Sequence, residues 1–446
     1  MENKNIAERA ERTKWFNAAR FGMFIHWGLY AIPARGEWVR STERMPQEEY
    51  LRYFNEFGAE DYHPREWARL AKRAGMKYAV LTAKHHDGFC LWDTKLTDFK
   101  APNTLAGRDL VKEYLEAFRA EGIKVGLYFS LIDWRHPDFP HYGDWQHPMR
   151  DNKDYGNENR DFNHYLEFMH GQIRELLTQY GKLDIMWFDF SYGDMAGEKW
   201  KAAELIKMVR SLQPHLITDN RLEGSGESSG TILTAKPSDY AGDFACPEQM
   251  IPPRGVCNEL GESVPWESCI TLNNHWGYCA ADRHWKSADM VVRMLVECVS
   301  KNGNLLLNVG PDARGRIPPG SAAVLEEVGR WMDRNGASIY NCGIAGFDKP
   351  EWGRFTQRGD KLYAHIYEPQ AGGICLPHLA GRIEKLRLLA DGSEIRLADH
   401  WNLKEYREHA FFFLNPQSYD NYPLPDPVDT VVEITLKNVS GTGPVH

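Results

Sequence analysis

The sequence lacks the features of a membrane protein and of a cysteine-based metal or redox protein. No stretch approaches the ~20 apolar residues that a membrane-spanning helix needs. The eight cysteines, at 90, 246, 257, 269, 279, 298, 342 and 375, include no C-x-x-C pair, so zinc and redox motifs are unsupported. No glycine-rich phosphate loop follows the first predicted strand, which leaves dinucleotide binding without its usual motif.

Positive charge is also scarce. The net charge of −9 argues against nucleic acid as a partner. The first 22 residues are charged from the start and contain no apolar core of a signal peptide. We therefore expect a cytoplasmic protein with free thiols and no membrane partner, unless a leader has been removed. A homo-oligomer is compatible with the sequence.

Tryptophan, by contrast, is abundant. The chain has fifteen, and many lie beside charged residues rather than within apolar runs. Clefts that bind sugars have this composition, because the face of a Trp ring stacks on the apolar face of a pyranose. The alternative interpretation is a core rich in Trp.

A pattern of helix, glycine and apolar strand repeats along the chain. Amphipathic segments close at Gly75, Gly122, Gly181 and Gly303, and an apolar strand follows each glycine. With further candidate strands this makes eight, which predicts a (β/α)8-like barrel over residues 1–346 in which the crossovers 222–242 and 249–268 lack good helices. A doubly wound open sheet is the alternative. Residues 347–446 contain short segments divided by turn residues, which predicts a C-terminal antiparallel β-sandwich.

Polar and aromatic residues collect at the ends of the predicted strands. The carboxyl ends of barrel strands meet at the face where barrel enzymes have their active sites. A lone His or Asn at such a place is more often a satisfied core residue, but here every strand end carries a candidate. The set is His26 and Trp27; His85, His86 and Asp87; Tyr128, Asp133 and Trp134; Trp187 and Asp189; Asp219 and Arg221; Asp243 and Glu248; Asn273, Asn274, His275 and Trp276, with Glu267 just before them; and Asn308.

Three kinds of site could use this set. A glycosidase needs two carboxylates flanking the bond that it cleaves, and Asp189 and Glu248 can face each other across the barrel mouth. A metal site would draw on His26, His85, His86 and Asp189. However, adjacent His85 and His86 point to opposite faces of an extended strand, so we predict no metal and no cofactor. An inactive sugar-binding protein would need no matched acids.

Seven segments of residues 14–346 follow one another in a recognisable order. They are WFNAARFGMFIHWGLYAIPARGEWV, YAVLTAKHHDGFCLWDTKLTDF, VGLYFSLIDW, MWFDF, DNR, PWESCITLNNHWGY and GNLLLNVGPDARGRIPP. Together they resemble the α-L-fucosidases of glycoside hydrolase family 29; F-I-H-W-G and K-H-H-D-G-F are the most specific parts. The resemblance implies a (β/α)8-like barrel followed by a β-sandwich, and retaining hydrolysis through a covalent fucosyl-enzyme.

The resemblance also implies roles for individual residues. Asp189 matches the family nucleophile. Phe190 stands where relatives often have a small residue, so we expect a narrower leaving-group side, and the order D-N-R departs from the family's Asn-Asp-Arg, so Asp219 and Asn220 receive no role. The positions that match sugar-binding residues are His26, Glu37, Trp38, His85, His86, Tyr128, Trp187 and Arg221. Either one of His85 and His86 faces the sugar while the other ties the strand end to its neighbour, or both reach different hydroxyls because the strand has ended.

The general acid/base is not fixed by the resemblance. Glu248 in GDFACPEQ resembles a D-F-x-x-x-E pattern that supplies this group in some relatives, and Glu267 in PWESC is the alternative. We prefer Glu248. An acid/base must be protonated near neutral pH, so its surroundings should raise its pKa. The C6 methyl of fucose needs an apolar wall, for which Trp187 and Phe24 are candidates.

We therefore expect a hydrolase that removes terminal α-L-fucose from a fucosylated oligosaccharide or glycoconjugate. A retaining glycosidase for a related sugar, such as a galactoside with fucose-like hydroxyl geometry, is one alternative. A catalytically inactive fucose-binding protein is the other.

Overall fold

The computed structural model describes residues 2–224, 229–415 and 421–437, and its largest element is a curved parallel sheet. The seven strands are β1 (Phe21–Ile25), β2 (Tyr78–Lys84), β3 (Lys124–Ser130), β4 (Ile185–Asp189), β5 (Ile217–Thr218), β6 (Glu267–Thr271) and β7 (Asn304–Val309). They pair in the order β5-β4-β3-β2-β1-β7-β6, and each pairing is parallel. This mostly sequential order is that of a curled, barrel-like sheet rather than of a doubly wound one.

The strands are apolar throughout because both faces of the sheet are covered. On β2, Ala79 and Leu81 pack in a large cluster with the surrounding helices, whereas Tyr78 and Val80 pack in a smaller cluster on the inner face. Successive residues of a strand point to opposite faces, so a strand between two apolar layers has no polar side. The continuous apolar runs of the sequence thus have a structural reason.

The predicted count of eight strands is not confirmed, because the predicted sixth strand is irregular. Residues 243–249 make only isolated parallel bridges, which pair Asp219 with Phe244, Ala245 with Trp266, and Glu248 with Cys269. They lie between β5 and β6, the two edges of an open sheet. The described parts of the predicted loops 222–242 and 249–268 contain a short 3-10 turn, Gly230–Leu233, and no α-helix; residues 225–228 lie outside the described residues.

Nine helices accompany the strands in the described part of the chain. They are α1 (Glu2–Ala19), α2 (Val39–Thr42), α3 (Gln47–Glu56), α4 (Pro64–Arg73), α5 (Leu110–Ala120), α6 (Phe162–Gln179), α7 (Ala202–Leu212), α8 (Ala288–Val299) and α9 (Pro319–Asn335). None of these described helices is long and apolar enough to cross a membrane. Gly75, Gly122 and Gly181 have the positive φ expected after a helix, but after α8 Asn302 takes that conformation instead of Gly303. Gly303 is needed for another reason, because a Cβ there would lie 2.2 Å from the Trp266 ring.

The C-terminal region forms two antiparallel sheets. Its strands are β8 (Gly353–Arg358), β9 (Lys361–Ile366), β10 (Ile374–Leu376), β11 (Ile383–Leu388), β12 (Glu394–Ile395), β13 (Ala410–Phe412) and β14 (Thr430–Leu436). Five strands pair in the order β12-β11-β14-β9-β8, and β10 pairs with β13. Both sheets contribute to one apolar cluster that includes Leu362, Ile374 and Phe412. The predicted antiparallel character is confirmed; the sandwich and the boundary at 346 stay predictions, and residues 416–420 and 438–446 lie outside the described residues.

Candidate active site

The carboxyl ends of the parallel strands surround a cavity of about 170 Å³. It lies where the sequence places the site of a barrel enzyme. Eleven residues were predicted as the nucleophile, the two acid/base candidates or matched sugar-binding positions. Nine of these line the cavity, and Glu37 and Glu267 do not. The lining residues are Phe24, His26, Trp38, His85, His86, Tyr128, Trp187, Asp189, Phe190, Arg221, Glu248, Cys269 and Trp276.

Arg221 joins the two carboxylates of the cavity. Its Nη1 donates to Oδ1 of Asp189 at 2.9 Å and to Oε2 of Glu248 at 2.8 Å. Its Nη2 donates to the Cys246 carbonyl oxygen at 3.3 Å, and its Cζ lies 4.6 Å from the ring centre of Trp187. Burial alone would disfavour the guanidinium cation, but Glu248 and Asp189 raise the pKa of Arg221 well above its ordinary value. The cation therefore persists at any working pH.

Asp189 is held on both of its oxygens. The hydroxyl of Tyr128 donates to Oδ2 at 2.7 Å, opposite the bond from Arg221 to Oδ1. Two donors stabilise a carboxylate in a partly buried position. The backbone before Asp189 is fixed as well, because the Phe188 N–H donates to Oδ1 of Asp219 at 3.1 Å. Asp219 is buried, and burial raises its pKa well above the ordinary range. It supports the strand end and does not line the cavity.

Glu267 lies below the cavity rather than in it. This side chain is fully buried at the start of β6, where the Tyr78 hydroxyl donates to Oε2 at 2.7 Å and Trp187 Nε1 donates to Oε1 at 2.9 Å. Burial raises the pKa of Glu267 to about 7. Its contact with the cavity is indirect, since it orients the indole of Trp187, which does line the cavity.

Three neutral histidines stand along one side of the cavity. His26 Nδ1 donates to Oδ1 of Asn308 at 2.6 Å, because the Asn308 amide nitrogen itself donates to the Trp276 carbonyl. His86 Nδ1 lies 2.7 Å from the hydroxyl oxygen of Ser130. Burial lowers the pKa of His26 and of His86 to about 3, and that of His85 well below its ordinary value. Uncharged imidazoles of this kind can exchange hydrogen bonds with sugar hydroxyls.

His85 and His86 do not lie on opposite faces of a strand, and of the two arrangements expected for a sugar site the structure has the one in which the strand has already ended. β2 ends at Lys84, so neither residue belongs to the extended strand. Both rings line the cavity, and their centres are 4.0 Å apart. Among the described residues no three His, Cys, Asp or Glu side chains are arranged to hold a metal ion. The independence of the reaction from metal stays a prediction.

Glu37 supports the cavity from behind. Its side chain is buried, and Oε2 accepts a hydrogen bond from the Gly277 N–H at 2.8 Å. Burial raises the pKa of Glu37. Gly277 directly follows Trp276, so Glu37 fixes the loop that brings this indole to the cavity, while the neighbouring Trp38 lines the cavity itself.

An apolar wall stands beside the histidines. Phe24 lies 5.2 Å from Trp187 and 5.9 Å from Trp276, measured between ring centres. Phe24 and Trp187 are the two residues expected to receive a methyl group, and Trp276 is a third. Trp276 was among the predicted strand-end residues, but no binding role was predicted for it. Cys269 was not predicted, and it has no distinguishing signal in the sequence.

Several strand-end residues stabilise the barrel instead of lining the cavity. Asp87 accepts a hydrogen bond from the Tyr50 hydroxyl, and Asp133 pairs with buried Lys84 at 3.3 Å. Asp243 lies away from the cavity, where it pairs with Arg12 of α1 and Arg210 of α7. The irregular backbone of 243–249 explains why Asp243 and Glu248 do not share a location. The remaining strand-end residues outside the lining are Trp27, Trp134, Asn273, Asn274, His275 and Asn308.

Both the sequence and the fold are similar to those of known proteins. The family model Alpha-L-fucosidase matches residues 2–337. Tissue alpha-L-fucosidase of Bos taurus is 30% identical over 434 residues, which cover 90% of this chain and 84% of that protein. The structure of alpha-L-fucosidase isoenzyme 1 from Paenibacillus thiaminolyticus has a TM-score of 0.93 at 60% identity and covers 97% of this chain and 100% of its own. A trapped covalent intermediate of the alpha-L-fucosidase GH29 from Bacteroides thetaiotaomicron has a TM-score of 0.80 at 28% identity, with 96% of each chain covered.

Proposed function

The chain belongs to the alpha-L-fucosidase family of glycoside hydrolases, and on that premise we propose that it removes terminal α-L-fucose from glycans or short oligosaccharides by a retaining double displacement. Asp189 is the nucleophile and Glu248 the general acid/base. One observation carries this assignment: the carboxylates of Asp189 and Glu248 share Nη1 of Arg221 in the same cavity.

The shared nitrogen limits the separation of the two carboxylates. Oδ1 of Asp189 lies 2.9 Å from Nη1 and Oε2 of Glu248 lies 2.8 Å from it, so these two oxygens cannot be farther apart than the sum of the two distances. Inverting glycosidases keep their carboxyl groups roughly 6.5–9.5 Å apart to admit a water, whereas retaining enzymes place them roughly 5–5.5 Å apart. The spacing at the nearest oxygens therefore supports retention.

The two steps use the carboxylates in turn. Asp189 attacks the anomeric carbon while Glu248 gives its proton to the departing glycosidic oxygen, which leaves a fucosyl ester and the free alcohol of the aglycone. Glu248, now a carboxylate beside Arg221, then takes a proton from water. As it loses this proton, the water attacks the same carbon, and Asp189 leaves as a carboxylate. Arg221 thus stabilises the ionised forms that both steps require.

The remaining lining residues suit the sugar. The neutral rings of His26, His85 and His86 provide hydrogen-bonding partners for ring hydroxyls, and the wall of Phe24, Trp187 and Trp276 suits the C6 methyl. The trapped intermediate of the Bacteroides thetaiotaomicron enzyme was obtained with a Glu-to-Gln mutant. This agrees with a mechanism in which a glutamate other than the nucleophile is needed for turnover.

Labelling with 2-fluoro-fucosyl fluoride tests the nucleophile. We expect the wild type to gain the mass of one fluorofucosyl group, on a peptide that contains Asp189, and the Asp189→Ala variant to remain unlabelled with an unchanged circular dichroism spectrum. Asp194→Ala is the matched control, because Asp194 is exposed in the same segment and should label like the wild type. An adduct on another residue, or labelling of Asp189→Ala, would overturn the assignment.

A further inference from the structure

A strip of aromatic side chains extends from the cavity to the protein surface. It consists of Trp38, Phe190, Tyr192 and Trp145, and the first two line the cavity. Ring centres are 5.4 Å apart between Trp38 and Phe190, 5.2 Å between Phe190 and Tyr192, and 6.1 Å between Tyr192 and Trp145. The first three rings are partly buried, whereas Trp145 is 65% exposed. The strip therefore runs from the catalytic pocket outward.

The backbone at Phe190 directs its ring into this strip. Phe190 follows Asp189 directly and has a φ of +83°, a left-handed conformation that bulky residues rarely adopt. Its ring packs on His86 at 4.6 Å and on Trp38 at 5.4 Å, and these contacts hold the strained conformation. Strain of this kind next to a reacting group points to a functional requirement for the side chain.

The loop that carries Trp145 is fixed in place. The Tyr192 hydroxyl donates to a carboxylate oxygen of Asp144, and the other oxygen accepts from the N–H groups of Gln146 and His147. His147 is fully buried, and its Nε2 donates to the Trp134 carbonyl at 3.0 Å. A large aromatic ring is thus exposed on a rigid support, nearly parallel to Tyr192 with 16° between the ring planes. Ordering before binding reduces the entropy cost of capturing a ligand.

We propose that this strip is the subsite for the aglycone and that its ligand is a chain of at least two sugar rings. This inference rests on the proposed function, because it takes fucose to occupy the inner end of the cavity. The sugar joined to fucose must then leave through the open side, where Phe190 and Tyr192 face it. Trp145, one ring farther out, stacks on the second sugar. An indole that is 65% exposed offers flat apolar surface of the kind that stacks on the apolar face of a pyranose.

Three α-L-fucosides separate the contributions of the aglycone sugars, and the two oligosaccharides among them share one linkage. The three are 4-nitrophenyl α-L-fucoside, a fucosyl disaccharide and the corresponding fucosyllactose. For Trp145→Leu we expect kcat/KM on fucosyllactose to fall about tenfold, mainly through KM, with little change on the disaccharide and none on the nitrophenyl fucoside. Trp145→Phe keeps a flat ring and should recover most of the loss. If Trp145 made only an apolar contact, Trp145→Phe and Trp145→Leu would lose the same amount.

The outcomes separate this inference from the proposed function. Equal losses on all three substrates would show that Trp145 supports the fold and would overturn the subsite. Unchanged kinetics on fucosyllactose in Trp145→Leu would overturn it as well, while hydrolysis of the nitrophenyl fucoside would leave the fucosidase function standing. A wild type inactive on all three substrates would contradict the proposed function itself.

Discussion

Glu248 and Glu267 lie in two different layers of the molecule, although Glu248 belongs to the irregular segment that is bridged to β6 and Glu267 to β6 itself. Glu248 is at the cavity surface, with a side chain that is 34% exposed and bonded to Arg221. Glu267 is fully buried below, between Tyr78 and Trp187, and burial raises its pKa to about 7. The raised pKa alone would select Glu267 as the acid, but Glu248 lines the cavity and Glu267 does not. Geometry therefore favours Glu248, the proposed acid/base, and burial explains the raised pKa of Glu267.

The largest effect should come from removing the surface glutamate. For Glu248→Ala we expect hydrolysis of a fucosyl oligosaccharide to fall about a thousandfold, because its poor leaving group needs protonation. The first step on a nitrophenyl fucoside should be largely retained, and a burst of nitrophenol followed by slow turnover would show it. Equal losses in both steps on both substrates would indicate that Glu248 is not the acid/base.

A smaller loss should follow from weakening the link between the carboxylates. Arg221→Lys keeps the charge but has a single nitrogen, so it cannot reproduce the arrangement in which Nη1 bonds Asp189 and Glu248 while Nη2 bonds the Cys246 carbonyl. We expect kcat/KM to fall about a hundredfold on oligosaccharide and nitrophenyl substrates alike, because both carboxylates lose their position. Steady-state kinetics with the two substrates measures this, and a loss confined to the oligosaccharide would show that Arg221 serves Glu248 alone.

Glu267→Gln should mainly change how stability depends on pH. The folded-state pKa of about 7 lies above the ordinary value of 4.5, so the folded state holds a proton that the unfolded chain releases. The contribution of Glu267 to stability is thus present below about pH 4.5 and decreases as the pH rises to about 7. Gln cannot titrate, so the variant should show a smaller decrease in urea midpoint over this range, with activity within about tenfold of wild type. Parallel curves for the two proteins would contradict the raised pKa.

The smallest effect should come from Tyr78→Phe. This change removes one hydrogen bond to Glu267 and leaves the cavity lining intact. We expect the free energy of unfolding to fall by about 1 kcal/mol, with kcat/KM nearly unchanged. Urea unfolding and nitrophenyl fucoside kinetics check both parts, and a large kinetic loss would mean that the buried layer takes part in catalysis.

The sequence predicted the seven strands of the parallel sheet and most of the cavity because apolar runs and strand ends are local features, but the predicted sixth strand is irregular. Asp189 ends β4 and Arg221 follows β5, and both lie where the pattern places them. The preference for Glu248 over Glu267 came from a family pattern and not from their placement, since Glu267 faces the interior at the start of β6 and Glu248 lies on an irregular segment with no periodicity. Two arrangements of His85 and His86 stayed open because the sequence does not show that β2 ends at Lys84, and the left-handed backbone of Phe190 has no signature in its residue type.

Rescue by azide tests the difference between the two glutamates most directly. In Glu248→Ala the fucosyl-enzyme should accumulate on a nitrophenyl substrate, and azide, which needs no base, should restore turnover and give α-fucosyl azide. Glu267→Ala should show no rescue and no azide product beyond that of the wild type. If Glu267→Ala instead yields α-fucosyl azide and Glu248→Ala does not, the acid/base is Glu267 and the assignment by position is wrong.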